Sequence, residues 1–120
     1  MILKVKKLEK EDKYRKIFEY FNLQYDWKLN KNDLAVANKL YFTNYTLIDT
    51  IKDFNSRMLY LFSSDIKKNL MSELKLQYNV FNNSLTKLRK ISLIEDNKLH
   101  LRIASLDIDK ELKLTILFEK

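Results

Sequence analysis

Between Gln77 and Lys90 a set of polar side chains recurs at helical spacing: Gln77, Tyr78, Asn79, Asn82, Asn83, Thr86, Lys87 and Lys90. The chemistry open to such a face is hydrogen bonding to base edges. Asn and Gln carry a donor beside an acceptor and match the N6/N7 edge of adenine. Thr can touch a thymine methyl, and Lys can pair with phosphate or guanine. A merely solvated helix face would be richer in Glu and Lys than in amides. The chain is rich in Asn throughout, however, so composition supplies part of the pattern, and the competing reading is a solvated or protein-contacting face. Tyr78 either stacks on or bonds a phosphate, or covers the helix joint as a half-buried ring.

Other chemistry is poorly supplied. There is no Cys, hence no disulfide and no thiolate. His100 is the only histidine, and a zinc site built on it would need carboxylates at ligand spacing, which are missing. It reads as an outward residue that either meets phosphate or is simply exposed. Asp107 and Asp109 share a face if extended and could hold a cation, although Lys110 and an expected turn favour solvated loop charges. No Ser, Thr or Lys sits beside a base that would activate it. Asp26, Asp33, Asp49 and Asp53 are scattered. No catalysis, metal or cofactor is expected. The absence of Gly also removes phosphate-cradling loops.

Two amphipathic helices must position the amide face. Ser63 or Ser64 can cap the first, with Asp65 in its opening turn, where the helix dipole favours negative charge. Ile66, Leu70 and Leu74 make its apolar stripe and leave Lys67, Lys68 and Glu73 outside. After Lys75, Leu76 and Gln77 the second stripe runs through Phe81, Leu85, Leu88 and Ile91, flanked by Val80. Helix, short joint, helix is the helix-turn-helix plan.

The run FSSDIKKNLMSELKLQYNVFNNSLTKLRKISLIEDNKLHLRI, residues 62–103, resembles a winged helix-turn-helix domain, as found in small phage and plasmid proteins and bacterial transcriptional regulators. LTKLRKISLIEDNKLHL, Leu85 to Leu101, carries the likeness most closely. The resemblance implies a recognition helix over about 77–90 in the major groove. It implies a wing with Leu93-Ile94 as one strand, Glu95-Asp96-Asn97 as its tip and Lys98–Ile103 as the return. Strand alternation then turns Leu99, Leu101 and Ile103 inward and Lys98, His100 and Arg102 outward. Phosphates would be held by Lys67, Lys68, Lys87, Lys90, Lys98 and Arg102. One departure stands out: Lys75 occupies the joint where Gly is common, and a non-Gly residue enters the left-handed region at a cost.

Around this core, Glu11 to Tyr25 reads as a helix with Tyr14, Ile17, Phe18 and Phe21 on one stripe. Asn30 and Asp33 have capping-box spacing ahead of a helix from Lys31 to Thr43. Asn44–Asp49 reads as a loop, and 48–62 as helical with a break near Asn55-Ser56. Met1–Leu8 alternates as a strand, and Leu112, Leu114, Ile116 and Phe118 form the inner face of a last strand. The expected fold is a single α+β winged helix-turn-helix domain over 1–120, with three core helices and a small antiparallel sheet. Residues 1–29 add an extra N-terminal strand and helix, 30–103 form the core, and 104–120 add a C-terminal strand.

The net charge is +7, densest over 63–103 and slightly reversed after 103, which suits a polyanionic partner. No apolar run approaches a membrane span, and Lys4, Lys6 and Lys7 interrupt any leader-like start. The expectation is a DNA-binding protein of transcriptional or replication control. Its partner would be double-stranded DNA, and its place the host-cell cytoplasm, or a virion if phage-encoded. The alternative is a structural or adaptor protein of an assembly, such as a phage particle, contacting itself or other proteins. Seven Tyr, seven Phe and one Trp supply the side chains such contacts favour.

Overall fold

A computed structural model describes residues 10–105, with side chains from Lys13 onward. Six helices and one hairpin make up this part of the chain: α1 (Lys10–Tyr25), α2 (Lys31–Leu47), α3 (Phe54–Leu61), α4 (Ser64–Leu74), α5 (Tyr78–Lys90), β1 (Ile94–Glu95), β2 (Lys98–Leu99) and α6 (Leu101–Ala104).

The 3.6-residue period is legible in α1, whose Tyr14, Ile17, Phe18 and Phe21 are all buried. In α2 it is blurred because this helix is covered on nearly every side. Leu34, Val36, Ala37, Leu40 and Tyr41 are all in the core, and α2 touches each of the other five helices. The Asn30–Asp33 capping box is formed: the Asn30 side chain accepts from the Asp33 amide and the Asp33 carboxylate accepts from the Asn30 amide, both at 2.9 Å. The helix continues through Asn44, a residue expected in a loop, and ends at Leu47. Asn44 is buried because its amide is used twice. It donates to the Ala104 carbonyl (3.2 Å) and accepts from Nε of the buried Arg57 (2.7 Å). The break expected near Asn55-Ser56 comes earlier. Asp53 caps α3, accepting from both the amide and the hydroxyl of Ser56.

With no Gly available, left-handed turns fall to other residues. Asp26 (φ 50°), Lys75 (φ 57°) and Ser92 (φ 64°) follow the ends of α1, α4 and α5. Past each, the next amide reaches back to a carbonyl of the last turn: Trp27 to Asn22, Leu76 to Met71 and Leu93 to Leu88. These are Schellman closures, which satisfy helix-terminal carbonyls. Asp96 and Asn97 both have positive φ, as a two-residue type I′ hairpin requires, and are among the non-Gly residues that tolerate it best. Ile94 pairs with Leu99 and Glu95 with Lys98.

The α+β winged-helix expectation does not survive this description. Helices dominate, and the only sheet among the described residues has two strands of two residues each. The return strand expected over Lys98–Ile103 stops at Leu99, and Leu101–Ala104 is a helical turn. The reason lies in the pattern itself. Leu99 and Ile103 are buried either way, since i and i+4 share a face in a helical turn as well as in a strand. Leu101 is the discriminating position, and it is 58% exposed. The proposed strands at Met1–Leu8 and Leu112–Phe118 lie outside the described residues.

The expectation that α4 and α5 share a core with α2 holds. Leu70, Phe81, Leu85 and Leu88 are buried in it, with Ile66 and Leu74 packed at its edge. Lys75→Gly should therefore raise stability by up to about 1 kcal/mol, the relieved left-handed strain being partly offset by the freer unfolded chain. Chemical denaturation of the two proteins measures this, and a loss of stability would show that the Lys75 side chain contributes more by packing than it costs in strain.

Candidate nucleic-acid interface

All eight residues of the amide face lie on α5 or at its N-cap, and none is fully buried. Phe81, Ser84, Leu85 and Leu88 face the core. Tyr78, Asn79, Asn83, Thr86 and Lys90 are exposed, and Asn82 and Lys87 are half-buried. Gln77 is the N-cap, but its side chain makes no capping bond, so its amide is not spent on the helix. Thr86 donates its hydroxyl to the Asn82 carbonyl one turn back (3.0 Å).

Lys87 has an internal partner. Its ammonium lies 3.0 Å from Oδ2 of Asp33, whose side chain is 2% exposed against 44% for Lys87. The other carboxylate oxygen, Oδ1, accepts from the buried Ser84 hydroxyl at 2.7 Å. One carboxylate thus caps α2 and clamps α5 at two successive positions of its inner edge. Only the capping role of Asp33 is legible locally, because its partners on α5 lie more than fifty positions away. Beside this clamp runs a groove of about 350 Å³, lined by Asn30, Asn32, Val80, Asn83, Thr86 and Lys90 among others.

The remaining cations fall on several elements. Lys67 is half-buried and Lys68 exposed on α4, while Lys98 is exposed on β2. Arg102 is exposed as expected, but on α6 rather than on a strand. Arg89, also exposed, was missed as a candidate. With Lys87 and Lys90 it fills the last turn of α5, where cations also suit the helix dipole.

His100 does not stand outward on a wing. It is the N-cap of α6 and half-buried. Its backbone amide donates to the hydroxyl of Tyr41 (2.8 Å), which itself donates to the Leu93 carbonyl (2.6 Å). Burial, and then the Arg102 charge, hold the imidazole below its ordinary pKa, which makes it a poor phosphate partner at neutral pH. Burial pushes the Tyr41 hydroxyl far above its ordinary value, so it stays protonated as a donor. No group of three or more His, Asp or Glu side chains among the described residues is placed to hold a metal ion. Asp107 and Asp109 lie outside them. No helix among the described residues is long and apolar enough to cross a membrane.

A second hollow of about 370 Å³ lies between α3 and the hairpin tip, lined by Met58, Leu59, Phe62 and Asp96 with Asn55, Asn97 and Lys98. Leu59 beside it is 79% exposed.

No protein-family model matches the chain, and comparison with curated proteins and with solved structures finds no significant match.

Asp33→Ala should cost about 2–4 kcal/mol, combining a lost cap with an orphaned buried hydroxyl. Lys87 adds little because its ammonium can rehydrate. A loss below about 1 kcal/mol on denaturation would show that the clamp does not hold α5. For His100, the depressed folded pKa means that the unfolded chain binds its proton first on acidification. Stability should therefore fall as pH drops through the ordinary histidine value of 6.5 and towards the lower folded value. His100→Gln should flatten that part of a stability–pH profile, and an unchanged slope would assign it to other groups.

Proposed function

We propose that the protein binds duplex DNA, with α5 seated in the major groove and the cations of its neighbours on the phosphates, in a role of transcriptional or replication control. The observation that carries this reading is the outward face of α5. Gln77, Asn79 and Asn83 are exposed and Asn82 is half-buried, while the opposite face of the helix is fixed to α2 by packing and by the Asp33 clamp. An α-helix fits the major groove, and a rigid helix loses less on docking than a mobile one. Helix, three-residue joint and helix at α4–α5 is compatible with the helix-turn-helix mode, in which the second helix meets base edges. The site of action would be the host-cell cytoplasm, or a virion.

Phosphate contacts would come from Lys68, Arg89, Lys90, Lys98 and Arg102, all exposed, with Lys67 at the margin. Lys87 is a weaker candidate than its position suggests, because meeting a phosphate would require it to leave Asp33.

A second reading draws on apolar side chains exposed away from α5. Leu59, Tyr60 and Leu101 are exposed at 79%, 47% and 58%, which favours protein contacts in an assembly, with this chain as adaptor or structural part. A salt titration of binding to random duplex DNA separates the two. The DNA reading expects salt-sensitive binding whose slope falls by roughly one for each phosphate contact removed. Lys90→Ala and Lys68→Ala should each show that fall, and Lys87→Ala a smaller one. Absence of binding at low salt would overturn the DNA reading and leave the assembly reading standing.

A further inference from the structure

We infer that the α5 face reads a short run of A·T base pairs through the major groove, with Thr86 against a thymine methyl. This rests on the DNA-binding reading and specifies the sequence class its site would take.

Three observations converge. First, the outward strip running through Asn79, Asn82, Asn83 and Thr86, exposed except for the half-buried Asn82, holds three amides and one hydroxyl and no guanidinium. Arg89 lies beyond it, in the last turn. Amides match adenine bidentately, whereas guanine is matched by Arg or Lys. Second, Lys87, one turn from Asn83, is engaged by Asp33 at 3.0 Å, so this cation is drawn towards α2, while the exposed Arg89 and Lys90 follow the strip at its C-terminal end. Third, the Thr86 hydroxyl is bonded to the Asn82 carbonyl. With that proton used within the helix, the hydroxyl no longer donates to a base acceptor, and the methyl of this exposed side chain is left to meet an apolar group, which in the major groove is the C5 methyl of thymine.

Spacing sets the length of the run. Asn79 to Thr86 covers about 10 Å at 1.5 Å per residue, and base pairs rise about 3.4 Å each. The strip therefore spans about three base-pair steps, which predicts a core of about four consecutive A·T pairs.

The test uses the full chain and fluorescein-labelled duplexes of equal length, read by anisotropy at fixed salt. One duplex carries a central A·T run and one a G·C run. Two modified A·T duplexes replace adenine by 7-deazaadenine or thymine by deoxyuridine; both alter the major groove only. The expected result is a preference of about tenfold or more for A·T over G·C, reduced by 7-deazaadenine and by deoxyuridine. Thr86→Ser keeps the hydroxyl and removes the methyl, so it should bind the thymine and uracil duplexes equally while the parent favours thymine. Asn83→Ala should weaken A·T binding and leave G·C binding unchanged. Equal, salt-sensitive binding to all four duplexes would overturn this inference and leave DNA binding intact. An A·T preference indifferent to both modifications would place the reading in the minor groove or in duplex shape and would also overturn it. No binding to any duplex would overturn the DNA-binding reading itself.

Discussion

The structure depends on keeping α2 buried along almost its whole length while its polar side chains find partners. A helix enclosed in this way can carry polar groups only where they are hydrogen-bonded or reach the rim. Each such group on α2 is directed at a different neighbour. Asn38 accepts from the Arg15 amide of α1 (2.8 Å). Lys39 pairs with Glu73 of α4 (2.6 Å). Tyr41 joins the Leu93 carbonyl and the His100 amide on either side of the hairpin. Asn44 holds Arg57 of α3 and the Ala104 carbonyl of α6. Asp33 holds Ser84 and Lys87 of α5. The apolar contacts set the strength of the core, and these polar ones set its register, since each is lost if a neighbour slides by a residue.

Arg57 shows how strictly this is enforced. It is buried, yet its bonds run to the Asn44 amide oxygen and the carbonyls of Ile51 and Lys52, with the Phe54 ring 5.5 Å from its guanidinium carbon. Those bonds draw the irregular segment between α2 and α3 against the core. The proposed interface inherits the same order. The inner edge of α5 is fixed at Ser84 and Lys87, so the amides one step round the helix are presented at constant spacing. The arrangement has a chemical consequence: Asp33, in locking α5, also occupies the cation nearest the amides.

Much of this was legible in the sequence, and the failures have identifiable causes. Helices with one apolar stripe, α1, α4 and α5, were read correctly because the 3.6-residue period separates inside from outside. The capping box at Asn30 and Asp33 was local and was found. The left-handed role of Lys75 was also local, set by its place between two stripes. The length of α2 was underread because Asn44 resembles a loop residue until its partners, thirteen and sixty positions away, are known. The hairpin return was misread because a six-residue segment cannot distinguish alternation from one helical turn when both bury Leu99 and Ile103. At the candidate site the outward turn of the α5 side chains followed from the apolar stripe opposite them, while the partner of Lys87 and the use of the Thr86 hydroxyl depend on tertiary contacts and backbone geometry.

The central claim is that the outward face of α5 is where this protein meets DNA. An amide-resolved NMR titration of the labelled protein with a short duplex tests it directly, since backbone and side-chain NH₂ groups report separately. The account predicts that the largest shifts fall on the amides of 77–86 and on the side-chain NH₂ groups of Asn79, Asn82 and Asn83. The buried face of α1 should stay unmoved. Shifts centred on α3 and the hairpin tip, with α5 silent, would contradict it.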